Sequence, residues 1–164
     1  MYAPKFDYFQ KSFLDLAMIK SSHCRWVARG HFFVCELDVI SNLQSNKYTL
    51  CINYERYWSP RVWIVEPSFL VGTYPHTYSG QSNQLCLFNN SLSPWRVQYN
   101  IVDTIVCWTT MWLNYYEYYT IAHKWVGPEA KHDTQPTIEN TLYTASKKKK
   151  LIKPQYLKDY PIRY

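Results

Sequence analysis

Apolar residues fall on alternate positions in successive short runs between residues 25 and 65, a pattern that commits this part of the chain to half-buried antiparallel strands. In the run 31–40, Phe33, Cys35, Leu37 and Val39 alternate with Glu36 and Asp38. Gly30 supplies a turn back to a short run at 25–28. A turn-rich stretch, 42–46, leads to a run in which Tyr48, Leu50, Ile52 and Tyr54 share one side, and 62–65 makes the fourth strand. Two helical patterns flank this meander. Phe6, Phe9, Phe13, Leu16 and Ala17 recur at the spacing of one helical face, predicting an amphipathic helix over 6–19. Beyond the strands, Ile101, Ile105, Trp108, Trp112, Tyr115 and Tyr119 step by four and three, predicting a core helix whose stripe they form. Asn100 with Asp103 is a candidate capping box at its start, and Ser93-Pro94 is a competing start signal. The expectation is a single α+β domain over 1–132 with a polar, basic tail over 133–164.

Charge excludes one class of function. The chain carries a formal charge of +6. The acidic and basic residues of 1–146 cancel, and the excess comes from 147–164, where Lys147 to Lys150, Lys153, Lys158 and Arg163 oppose Asp159 alone. The aromatics follow core spacing instead of interleaving with bases, so a nucleic-acid-reading face is not indicated. The lysine run reads as a solvated charge run, a contact for an acidic partner or a set of amine acceptors.

The apolar stretch 101–113 is interrupted by Asp103 and three threonines and is too short to span a bilayer. Five cysteines without a CxxC pair, and no signal-peptide pattern, point to a reducing cytoplasm. Cys35, Cys51 and Cys107 lie in strand and helix patterns and are expected to be small buried hydrophobes, while Cys24 reads either way. His23, Cys24, His123 and His132 lack zinc-ligand spacing, and no glycine loop cradles a phosphate, so no cofactor is expected.

The chemistry concentrates in the patternless segment 67–94, too long to be a plain connection. Near its end Leu85 and Leu87 flank Cys86, so packing fixes the backbone while the sulfur is reachable from the loop. A thiol of pKa ~8.5 is partly ionised near neutrality, and its thioester is readily attacked by amines.

Here the residues carry a resemblance. His76 ten positions before Cys86, Leu87 after it and Trp95 in the following turn resemble the active-site segment of ubiquitin-conjugating enzymes, as does the order helix, four-stranded meander, loop, helix over roughly 5–121. HTYSGxxxxLCLF in place of the eukaryotic HPN signature, and the WLNYYEYY helix followed by KWVGPEAKH, are closest to the bacterial members found in anti-phage CBASS-type operons with a cGAS-like nucleotidyltransferase. The resemblance implies the UBC-like fold and a cysteine acyltransferase in which Cys86 bears the thioester. It implies that the carried group is the C-terminus of the nucleotidyltransferase, or in related operons a ubiquitin-like protein, passed to a lysine or similar acceptor. A non-catalytic module holding a partner tail is the alternative on the same fold.

Where the family has an oxyanion-stabilising Asn two residues after the His, this chain has Tyr78, either a substitute donor or a packing residue. His76 is mainly a loop-bracing residue in the family, against the general-base role that an imidazole near a thiol invites. His132 is a surface residue or a proton-transfer group. The whole reading requires the Cys86 sulfur to be reachable from a cleft.

Overall fold

The computed structural model describes residues 7–68, 75–78, 83–89 and 94–128. The first helix, α1, is Tyr8–Ala17, begun by Asp7, whose carboxylate accepts from the backbone N–H groups of Phe9 (3.0 Å) and Gln10 (3.2 Å). It presents Phe9 and Leu16 inward. Four strands follow in chain order: β1 (Ser22–Val27), β2 (Phe32–Ile40), β3 (Lys47–Glu55) and β4 (Arg61–Glu66). Each pairs antiparallel with its sequence neighbour, giving the meander expected from the alternation. The turn between β1 and β2 places Arg29 (φ 54°) and Gly30 (φ 82°) in the left-handed region.

The pleat sorts the strands as the sequence pattern requires. Phe33, Leu37, Tyr48, Leu50, Ile52, Tyr54 and Val62 face one way and form a single core with Phe9, Leu16, Ile101, Ile105, Trp112 and Leu113. Burying each of the larger aliphatic side chains contributes about 1.5–3 kcal/mol. Val34, Cys51, Asn53 and Trp63, on the alternate positions, are buried as well.

Two expectations about cysteines are corrected. The β1–β2 register sets Cys24 directly opposite Cys35 on the same face, and their sulfurs form a disulfide, so neither is a plain buried hydrophobe. Cys107 is exposed, because the helix turns it away from the core.

The last helix is also corrected. Asn100 caps it as expected, its side-chain oxygen accepting from Val102 N (2.9 Å) and Asp103 N (3.2 Å). The first turn, Val102–Val106, is π-helical, and α2 proper is Cys107–Ala122. After Ile105 the fully buried positions are Thr109, Leu113 and Glu117, in steps of four. The predicted stripe therefore splits: Trp112 stays in the core, while Trp108 and Tyr115 are half-buried and line a cleft. No helix among the described residues is long and apolar enough to cross a membrane.

Candidate functional site

A short two-stranded stub carries the cysteine. Thr77 and Leu85 form an antiparallel bridge, Tyr78 N donates to Gln84 O (2.9 Å), and Cys86 N donates to His76 O (2.9 Å). Leu85 N in turn donates to Val62 O (2.8 Å), tying the stub to β4. Leu85 points into the core and Leu87 packs against it, and alternation sends Cys86 the other way.

His76 is the joint between this stub and α2. It adopts φ 56°, a conformation that favours glycine, following Pro75. Its carbonyl accepts from Cys86 N and also from the indole Nε1 of Trp112 (3.2 Å). Its ring stacks on Trp125, with centroids 4.7 Å apart and planes 24° apart. Trp95, further along, is buried and its Nε1 donates to the Tyr54 hydroxyl (3.4 Å).

Cys86 is only 9% exposed, yet it opens on a cleft of about 260 Å³ that His76, Trp108, Trp112, Tyr115 and Trp125 also line. The cleft is walled almost wholly by rings and a thioether, Met111. A more polar groove of about 370 Å³ adjoins the stub, lined by Glu55, Arg61, Tyr78, Gln84 and Phe88, and Leu87 borders both spaces.

Burial pushes the Cys86 thiol above its ordinary pKa, and a hydrogen bond from the Tyr78 phenol opposes that rise by favouring the thiolate. Tyr78 itself is pushed up to about 12, first by burial and then by its bond to Cys86. It is therefore a protonated donor at neutral pH. The structure thus brings His76, Tyr78, Cys86 and Trp112 into one contiguous arrangement. His132 and the lysine-rich tail lie outside the described residues.

Sequence reasoning missed the cleft wall. Trp108, Met111, Tyr115 and Trp125 border the thiol, but the first and third were absorbed into a presumed core stripe. The signal that separates them is the polar Thr109 and Glu117 on the buried face: a stripe of four-residue steps through Ile105 and Leu113 passes through both. Among the described residues no group of three or more His, Cys, Asp or Glu is placed to hold a metal ion.

Fold and site together define an α+β protein with a largely buried thiol at the floor of an aromatic cleft, held between a four-stranded meander and its last helix. A family model described as Type II CBASS E2 protein matches residues 14–133, and the chain belongs to that family, an E2-like component of bacterial anti-phage CBASS defence. No curated protein matches the chain.

Proposed function

We propose that this protein is a cysteine acyltransferase on a UBC-like fold that carries a protein C-terminus as a thioester on Cys86 and passes it to an amine. The observation that carries the reading is the Cys86 thiol opening on a cleft while a neutral phenol, Tyr78, donates to its sulfur. In transfer, the amine nitrogen attacks the thioester carbonyl, the C–S bond breaks as the C–N bond forms, and the amine proton ends on the Cys86 sulfur. Tyr78 stabilises the departing thiolate, and the backbone clamp at His76 keeps the sulfur in register with the cleft. The donor is the C-terminal tail of a cGAS-like nucleotidyltransferase partner or of a ubiquitin-like protein, and the acceptor is a lysine.

Intact-mass measurement of the protein co-expressed with its genomic neighbours, with and without reductant, tests this. Wild type is expected to carry a reductant-labile adduct, Cys86→Ser a hydroxylamine-labile but reductant-resistant one, and Cys86→Ala none. Identical adducts on wild type and Cys86→Ala overturn the mechanism. A second reading, a binding module that holds a tail without chemistry, is favoured by the low exposure and raised pKa of Cys86. Full defence activity with Cys86→Ala would select it.

A further inference from the structure

Three indoles line the cleft beside Cys86, those of Trp108, Trp112 and Trp125, and the N–H groups of the last two have different fates. That of Trp112 is spent on the His76 carbonyl at 3.2 Å. That of Trp125 is buried and finds no hydrogen-bond partner among the described residues. A buried donor without a partner is costly, by an amount comparable to a lost hydrogen bond, and such groups are rare in folded chains. Here the cost is borne in the wall of the cleft that reaches the nucleophile.

The surroundings of Trp125 are built to keep that ring in one place. It stacks on His76 and meets Trp112 and Tyr115 with ring centroids 5.8 Å away in each case. Gly127 approaches so closely that a Cβ there would stand 2.7 Å from the Tyr115 ring and 2.9 Å from the Trp125 Nε1. No side chain fits between the backbone and the indole nitrogen there, so a glycine stands against that N–H. The ring that carries this N–H is itself part of the cleft wall.

Resting on the acyl-carrier reading above, we propose that the Trp125 indole N–H is a specificity-determining group: it donates to a main-chain carbonyl of the peptide borne on Cys86. The ligand class follows from the wall. Rings and a thioether suit a neutral, extended peptide end whose side chains bury against them, and such a chain brings a carbonyl at every residue. A carbonyl entering the cleft loses its water, and the unspent indole N–H offers it a bond in return.

The test uses the full chain and a probe that needs no partner: a neutral pentapeptide α-thioester, compared with the acetyl thioester of the same leaving thiol. Each exchanges its acyl group onto Cys86, the thiol proton leaving with the released small thiol, and intact mass reads the rate. In Trp125→Phe the ring remains against His76 but the N–H is gone. The ratio of peptide to acetyl exchange is expected to fall about tenfold, carried by the concentration dependence of the peptide reaction. Replacing Trp125 by 3-benzothienylalanine, of the same shape with sulfur for N–H, is expected to do the same, and it serves if the Phe variant fails to fold. Equal loss for both thioesters makes Trp125 merely structural and overturns the proposal, as does an unchanged ratio. A wild-type protein that accepts neither acyl group overturns the carrier reading itself, a result distinguishable from an unaltered ratio.

Discussion

The second helix serves two regions that treat polar groups in opposite ways. Toward its C-terminal half, Glu117 is 1% exposed and accepts from Ser41 Oγ (2.6 Å), Gln44 N (3.0 Å), Asn46 Nδ2 (2.9 Å) and the Tyr48 hydroxyl (2.9 Å). Asn114, one turn earlier, accepts from Asn42 N (2.9 Å) and Leu43 N (3.2 Å). Both clamp the β2–β3 turn, and both carboxylate oxygens accept from neutral donors, Oε1 from three and Oε2 from one. Beside Cys86, by contrast, the Trp125 Nε1 and the Gln84 Oε1 are buried with no partner among the described residues. A region whose polar atoms are all satisfied is an anchor. A region that leaves some unspent has been shaped for something other than stability.

The largest effect expected from this contrast is at the anchor. Glu117→Ala removes the acceptor of four donors, two of which, the Ser41 and Tyr48 hydroxyls, are buried, and an unfolding free-energy loss of about 3 kcal/mol is expected from urea titration. The alkylation rate of Cys86 at fixed pH should stay near wild type while the protein is folded. If that rate collapses in proportion to stability, the two regions are one cooperative unit and the contrast fails.

Next in size is the alkaline limb of stability. Burial first, and then the bond to Glu117, raises the Tyr48 phenol well above its ordinary range, and burial also raises Tyr54 and Tyr78. Above pH ~10 these phenols ionise in the unfolded chain but not in the folded one. The unfolded state then holds fewer protons, so stability is fully present below that pH and falls as pH rises through the folded-state values. Tyr48→Phe should cost about 1.5 kcal/mol at pH 7 and flatten the decline above pH 10, which urea titrations at several pH values would read. An unflattened decline would mean that Tyr48 ionises freely and that the anchor is wetter than its geometry states.

What the sequence made legible follows the same division. The period-two runs located all four strands, and the spacing of Phe9, Phe13 and Leu16 located α1, because burial on one face writes a local periodic signal. The 42–46 turn was visible, but not what holds it, since Glu117 lies 69–76 residues away from the side chains that it binds. The helix stripe was misread because its apolar residues lie on two adjoining faces, the buried one running through the polar Thr109 and Glu117 while Trp108 and Tyr115 turn to the cleft. The pairing of Cys24 with Cys35 depends on strand register, which an irregular turn with two left-handed residues sets and no simple spacing announces. At the site, His76, Tyr78 and Cys86 stood out by residue type and order, whereas Trp125 did not, because its role comes from a contact across chain segments.

The smallest effect is also the one that decides what Tyr78 does. Its phenol donates to the Cys86 sulfur, so it favours the thiolate over the thiol. Tyr78→Phe removes donor and burial cost together, and stability should change by less than about 0.5 kcal/mol. The thiol loses the one influence that opposes its rise, so the pH midpoint of Cys86 alkylation should move further up. At pH 8, below that midpoint, a bond worth about 1 kcal/mol corresponds to an alkylation rate lower by about fivefold. Discharge of a thioester from Cys86 should slow as well, because a less stabilised thiolate is a poorer leaving group. An unmoved midpoint would instead make Tyr78 a packing residue, and the donor that replaces the family's Asn would have to be sought among the backbone N–H groups of the stub.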